Sequence, residues 1–280
     1  MKRRIEAKVT GYRTKDGAGV SLVRVLGYDN TKEFDPILML DSFDSTDPEE
    51  YTAGFPMHPH RGIETISYVA RGKMIHKDSL GNEDSISDGE VQWMTAGSGI
   101  LHEENMPPAE KLLGVQLWLN MPRKYKMSVP EYHSIKQQDI KEIPIEGGSL
   151  RLISGSYKEH QGFHGKYLPL DYYDIKLHAY QKITLETEKD KSVLVFLLAG
   201  DAKVAGEDVV EKTAVKLSEG TSLELEALNQ EIEILFISSD KLEEPISWGG
   251  PIVMNTDKEL NKAFEELRNG TFLKDKVDYK

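Results

Sequence analysis

Short apolar or alternating runs separated by turn residues dominate the chain between positions 60 and 120. Ile63 to Val69 is followed by Arg71-Gly72, Met74-Ile75 by Leu80-Gly81-Asn82, Ile86 by Asp88-Gly89, and Val91-Gln92-Trp93-Met94 by Ala96-Gly97-Ser98-Gly99. Runs this short, punctuated by glycine and asparagine, predict β-strands, and their even spacing predicts a barrel or jelly roll. Between Pro122 and Pro144 the pattern loosens into Arg123-Lys124-Tyr125-Lys126 and a polar stretch. Strand-like runs then restart at Tyr172 to Leu177, Gln181 to Leu185, Val193 to Leu198, Ala214 to Leu217 and Ile232 to Ile237. The expected division is therefore 1–133 and 134–280, two strand-rich cycles of similar length that point to a duplication. Leu260, Ala263, Phe264 and Leu267 change the period to that of a helix, with Thr256 as cap, Glu259 three residues on and Gly270 as terminator. The fold class read from the pattern is all-β, two barrels closed by one C-terminal helix.

At 280 residues the chain exceeds the usual size of one core, which agrees with two domains. The net charge of -12, from 47 acidic and 35 basic residues, repels phosphate backbones and anionic lipid, so direct nucleic-acid binding is disfavoured. Cysteine is absent, which excludes disulfides, thiolate catalysis and iron–sulfur clusters. Any metal must use histidine and carboxylate. The basic start Met1-Lys2-Arg3-Arg4 leads into Glu6, Lys8 and Thr10 rather than an apolar export signal. Val193 to Ala199, the most apolar run, is far shorter than the roughly 20 residues that span a bilayer. A cytoplasmic protein without a membrane partner is expected.

His58-Pro59-His60 places two imidazoles at i and i+2, on one side of an extended segment. Farther on, Gly99-Ile100-Leu101-His102-Glu103-Glu104 adds a third histidine with a carboxylate two residues later. Three histidines and one carboxylate suit iron, nickel, cobalt, manganese or zinc, and an octahedral ion keeps two positions open for ligand exchange. Two of these residues precede a strand cycle and two follow it, as when neighbouring barrel strands converge on one interior point.

The run from Gly54 through His58, His60, Glu64 and Gly72 resembles the first cupin motif, and Gly89 to His102 resembles the second. His58-Pro59-His60-Arg61-Gly62-Ile63-Glu64-Thr65, Gln92-Trp93-Met94-Thr95-Ala96-Gly97 and Gly99-Ile100-Leu101-His102 are similar to the signature of the pirin family. So are Asp35 to Phe43, Gln116-Leu117-Trp118-Leu119-Asn120, Arg151 to Gly155 and Asp171 to Asp174, in the expected order. The resemblance implies a bicupin whose first barrel binds Fe(II) through His58, His60, His102 and Glu104, and whose second lacks the metal. After His178 the chain has no histidine, which agrees with that asymmetry. One departure is an extra residue, Asn105, between the carboxylate and Met106-Pro107.

The activity that the resemblance implies is a quercetin 2,3-dioxygenase. A flavonol or other phenol binds as an oxyanion, Glu104 accepts its proton as ligand or displaced base, and dioxygen cleaves the ring with release of carbon monoxide. The alternative is a non-enzymatic, iron-responsive regulator that acts on a transcription factor or metabolic enzyme as protein partner. Glu64 is read as support for a ligand imidazole rather than as a ligand. His76, His133, His160, His164 and His178 lack a partner at ligand spacing and are read as surface or hydrogen-bonded residues. Trp93, Met94, Phe55 and Met57 are read as core, and Arg123 to Lys126 as a solvated linker.

Overall fold

The computed structural model describes residues 1–275. Contacts divide the chain into two units, and neither is a continuous stretch. One comprises Arg13–Val23, Ile37–Gln137 and the chain from Leu242 onwards; the other comprises Met1–Tyr12, Arg24–Pro36 and Gln138–Lys241. The sequence pattern suggests one cut between 133 and 134, but each end of the chain is built into the unit formed mainly by the other half. The cause is edge pairing and apolar burial. Ile5–Thr10 pairs antiparallel with Thr213–Leu217, completing a sheet edge. The helix Asp257–Arg268 packs Leu260, Ala263, Phe264 and Leu267 against Ile252, Met254, Phe272 and Leu101 of the first barrel.

Both units repeat one architecture, a seven-stranded and a four-stranded sheet. In the first unit the larger sheet runs Glu131–Ile135, Glu90–Thr95, Ile63–Arg71, Leu112–Asn120, Ile37–Ser45, Val20–Leu26 and Tyr12–Asp16. Its smaller sheet runs Phe55–His60, Ile100–Asn105, Lys73–Asp78 and Glu83–Ser87. The second unit's smaller sheet has the matching order Lys182–Glu186, Ser222–Ala227, Ala202–Val204 and Glu207–Val209. This is the pair of barrels with a C-terminal helix expected from the pattern, and the cupin fold that the resemblance implies. No helix among the described residues is long and apolar enough to cross a membrane.

The matching strands differ in what they bury. In the second unit Ile183 lies opposite Leu225 and Leu185 opposite Leu223, all four within an aliphatic core. In the first unit the corresponding strands bring His58 opposite His102 and His60 opposite Ile100. One barrel is filled with hydrocarbon where the other carries imidazole.

Candidate metal centre

Period-two alternation along Phe55–His60 puts His58 and His60 on one face, and antiparallel pairing sets His102 directly across from His58. One ligand atom from each of these histidines lies within 4.8 Å of the others. His58 Nε2 stands 3.0 Å from His60 Nε2 and 3.0 Å from His102 Nε2. His58 Nδ1 donates to the Pro56 carbonyl at 2.8 Å and His60 Nδ1 to the Pro251 carbonyl at 3.0 Å. A carbonyl only accepts, so both rings carry their proton on Nδ1 and present lone pairs at Nε2. Lone pairs 3.0 Å apart repel, and a cation between them removes the repulsion. Burial, with the nearby His58, lowers His60 to about 3, and burial takes His102 well below its usual value. Both are neutral near pH 7, the state in which imidazole binds metal, so the residues present fit a metal ion.

Pro251 reaches His60 because the C-terminal chain runs alongside Arg61 and Gly62. Val253 N–H donates to the Arg61 carbonyl at 3.1 Å. Gly62 has φ +78°, and a Cβ there would stand 2.1 Å from the Val253 carbonyl oxygen, so only glycine allows this approach. Arg61 secures the same segment through Phe272 O at 2.8 Å and Glu266 Oε2 at 2.7 Å.

Glu104 shares the inward face with His102 and is 1% exposed, whereas Glu103 is half-buried. The strand keeps its alternation because its pairing with Lys73–Asp78 is unbroken, with Glu104 opposite His76. A register shift does occur between His102 and Glu104 in the pairing with Phe55–His60, where Glu104 faces Phe55. Three positions on that neighbour therefore answer two on the Glu104 strand, so the surplus residue belongs to the Pro56-Met57 side and not to Asn105. The Glu104 carboxylate accepts from Gln116 Nε2 at 2.7 Å, Ser67 Oγ at 3.3 Å and Gln92 Nε2. All three donors are neutral, which leaves a buried negative charge for a cation to balance. Glu104 is not a member of the 4.8 Å histidine group.

Glu64 accepts from Thr95 Oγ1 at 2.6 Å, and burial pushes the pKa of its carboxyl group up. His76, read from the sequence as a surface or hydrogen-bonded residue without a partner at ligand spacing, is fully buried and hydrogen-bonded to Asp78, and it also reaches the histidine cluster: its Nδ1 is 3.4 Å from His102 Nδ1. The signal was alternation, since Met74, His76 and Asp78 share the buried face of their strand. Trp118 stands edge-on to His60 with ring centroids 5.0 Å apart, in an apolar cluster with Leu38, Ile63, Met94 and Ile100. Gln92, Gln116 and Trp118 lie in strands buried on both faces, where alternation cannot sort residues. Trp93 and Met94 are core, Phe55 is half-buried against Phe43, and Met57 is 48% exposed. Lys126 departs from the solvated linker expected there. It is 1% exposed, and its Nζ donates to Gly62 O, Asn120 Oδ1 and Val253 O.

A family profile described as Pirin matches residues 19–119, and one described as Pirin C-terminal cupin domain matches residues 172–273. The chain belongs to the pirin family. Among similar pirin-family proteins, one from Pseudomonas aeruginosa named as a candidate quercetin 2,3-dioxygenase is 38% identical, over 93% of this chain and 95% of its own. Human pirin is 34% identical, over 95% of this chain and 93% of its own. The crystal structure of quercetin 2,3-dioxygenase from Acinetobacter baumannii is similar with a TM-score of 0.90 and 34% identity, over 97% of this chain and 99% of that one.

Proposed function

We propose that this protein is a non-haem iron dioxygenase of the quercetinase type, with His58, His60, His102 and Glu104 holding Fe(II) in the first barrel. The observation that carries the reading is the meeting of three Nε2 atoms with the Nδ1 of His58 and His60 already committed to carbonyls. The names of its relatives support a flavonol and dioxygen as substrates. A ferrous ion supplies Lewis acidity, redox chemistry and open coordination positions. The chain supplies the rest. Glu104 receives the proton of the flavonol hydroxyl on a carboxylate oxygen, and Gln116, Gln92 and Ser67 hold that carboxylate in place. Trp118 and its aliphatic neighbours exclude water beside His60.

The test is anaerobic purification with metal analysis, ferrous loading, and oxygen uptake against flavonols and other phenols. Flavonols with the free hydroxyl are consumed with carbon monoxide release; analogues methylated at that hydroxyl are not. Equal turnover of both overturns the inner-sphere role of the hydroxyl. No turnover by fully ferrous protein overturns the enzyme reading in favour of an iron-responsive regulator.

A further inference from the structure

We propose that Asp78, acting through His76, sets the tautomer of His102 and so prepares its Nε2 to bind metal. The inference rests on the metal reading above and concerns two residues outside the proposed ligand set. His58 and His60 each have a backbone carbonyl to hold Nδ1–H. His102 does not. Its Nδ1 faces another imidazole nitrogen, His76 Nδ1, at 3.4 Å. Two imidazoles can meet this way only if one donates and the other accepts, so something beyond the pair must choose.

Asp78 makes that choice. Its Oδ1 accepts the backbone N–H groups of Leu80 at 2.9 Å and Asn82 at 3.0 Å. Its Oδ2 accepts Asn82 Nδ2 at 2.8 Å and faces His76 Nε2 at 3.0 Å. With its oxygens taken up by these donors the carboxylate acts as an acceptor, so the His76 proton sits on Nε2. His76 Nδ1 is then a lone pair, His102 Nδ1 must donate to it, and His102 Nε2 is left bare toward His58. Tyr132 fixes the His76 ring by stacking at 4.2 Å with an interplanar angle of 14°. His76 is buried completely and Asp78 almost so, so bulk water does not compete for these bonds. The chain Asp78–His76–His102 thus carries a carboxylate's influence to the ligand atom across two rings, a positioning role.

The variant Asp78→Asn has a directional consequence. The backbone N–H groups of Leu80 and Asn82 cannot turn away, whereas the Asn82 side-chain amide can rotate to offer its oxygen, so the amide oxygen takes the Oδ1 position and the NH2 faces His76 Nε2. A donor there reverses the chain: His76 carries its proton on Nδ1, and His102 is driven to protonate Nε2, the atom the metal needs. His76→Leu removes the acceptor outright. His76→Asn restores one, since Oδ1 can stand where Nδ1 stood.

The test uses full-length protein labelled with 15N at histidine, first freed of metal and then titrated with Zn(II) against a chromophoric chelator. The tautomers are read from long-range 1H–15N spectra of the metal-free form. His102 carries its proton on Nδ1 in the wild type and on Nε2 in Asp78→Asn. Zn(II) affinity falls roughly 10–100-fold in Asp78→Asn and His76→Leu and recovers in His76→Asn. Thermal unfolding of the metal-free variants detects loss of fold, which would lower affinity without moving the His102 proton from Nδ1 to Nε2 in Asp78→Asn. An Nε2–H tautomer for His102 in the wild type, or an unchanged tautomer and affinity in Asp78→Asn, overturns the proposal. If the tautomers behave as stated but no Zn(II) or Fe(II) binds, the relay stands and the metal reading fails.

Discussion

Glu103 and Glu104 are adjacent carboxylates with opposite surroundings, one partly in solvent and one enclosed by two glutamine amides and a serine hydroxyl. On the proposed reading, Glu104→Gln keeps the shape but removes the anion, so metal affinity falls by roughly tenfold or more and any oxygenase activity disappears. Glu103→Gln changes neither. Metal titration and oxygen uptake on the pair check this, and loss of metal in Glu103→Gln alone would reverse the assignment. His60 provides a second residue-scale prediction. Burial, helped by His58, lowers its folded value to about 3 from the ordinary 6.5. Between those values the unfolded chain binds a proton that the metal-free folded chain refuses, so this contribution is full above about 6.5 and is lost as pH falls toward 3. In urea unfolding of chelated protein, the stability of wild type relative to His60→Gln shrinks on acidification from pH 7 to pH 4. A difference independent of pH contradicts it.

At the scale of elements, the helix Asp257–Arg268 is short, and its stability depends on its ends and its apolar stripe. Thr256 Oγ1 accepts Glu259 N–H at 3.3 Å, and the Glu259 carboxylate returns to accept Asn255 N–H at 3.2 Å and Thr256 Oγ1–H at 2.9 Å. Thr256→Ala is expected to cost about 1 kcal/mol in urea unfolding. Metal affinity stays within twofold, because the contact with His60 comes from the Pro251 carbonyl, which precedes the cap. A large loss of metal in this variant would show that the helix, and not the strand-like run along Arg61, holds Pro251 in place.

On the scale of the whole molecule, the two barrels share an architecture but differ in interior chemistry, and stoichiometry follows from that. About one metal per chain is expected, because Ile183, Leu185, Leu223 and Leu225 occupy the second barrel where the first carries imidazole. Two equivalents in well-washed protein would overturn it. Chelated protein keeps its β-sheet circular dichroism, since extensive apolar cores fill both units. Metal then adds stability only by mass action, about 2.7 kcal/mol at a free concentration a hundred times Kd. Collapse of the dichroism on chelation would mean that the ion is a structural staple.

The strands read between positions 63 and 102 and between 172 and 237, the closing helix with its Thr256 cap and the histidine-carboxylate signature are properties of local pattern, and the sequence by itself determined them; strands such as Ile5–Thr10 and Val20–Leu26 carried no such signal. Alternation also placed Glu104 with His102 and Glu103 away, because period two is a backbone property that acts before any tertiary contact. Three things were decided only in three dimensions. The exchange of chain ends between units depends on which sheet edge and which apolar surface are exposed, and no linker composition records that. The burial of Lys126 depends on three oxygens, of which the Gly62 and Val253 carbonyls come from distant segments and only Asn120 Oδ1 is near in the chain. The partners of the three clustered histidines are Pro56 for His58, Pro251 for His60 and His76 for His102. Pro251 and His76 come from far along the chain, and the Pro56 and Pro251 partners are main-chain carbonyls with no residue-type signature. A hydrogen bond to such a group is invisible in sequence because any residue could supply it, and only the fold determines which one does.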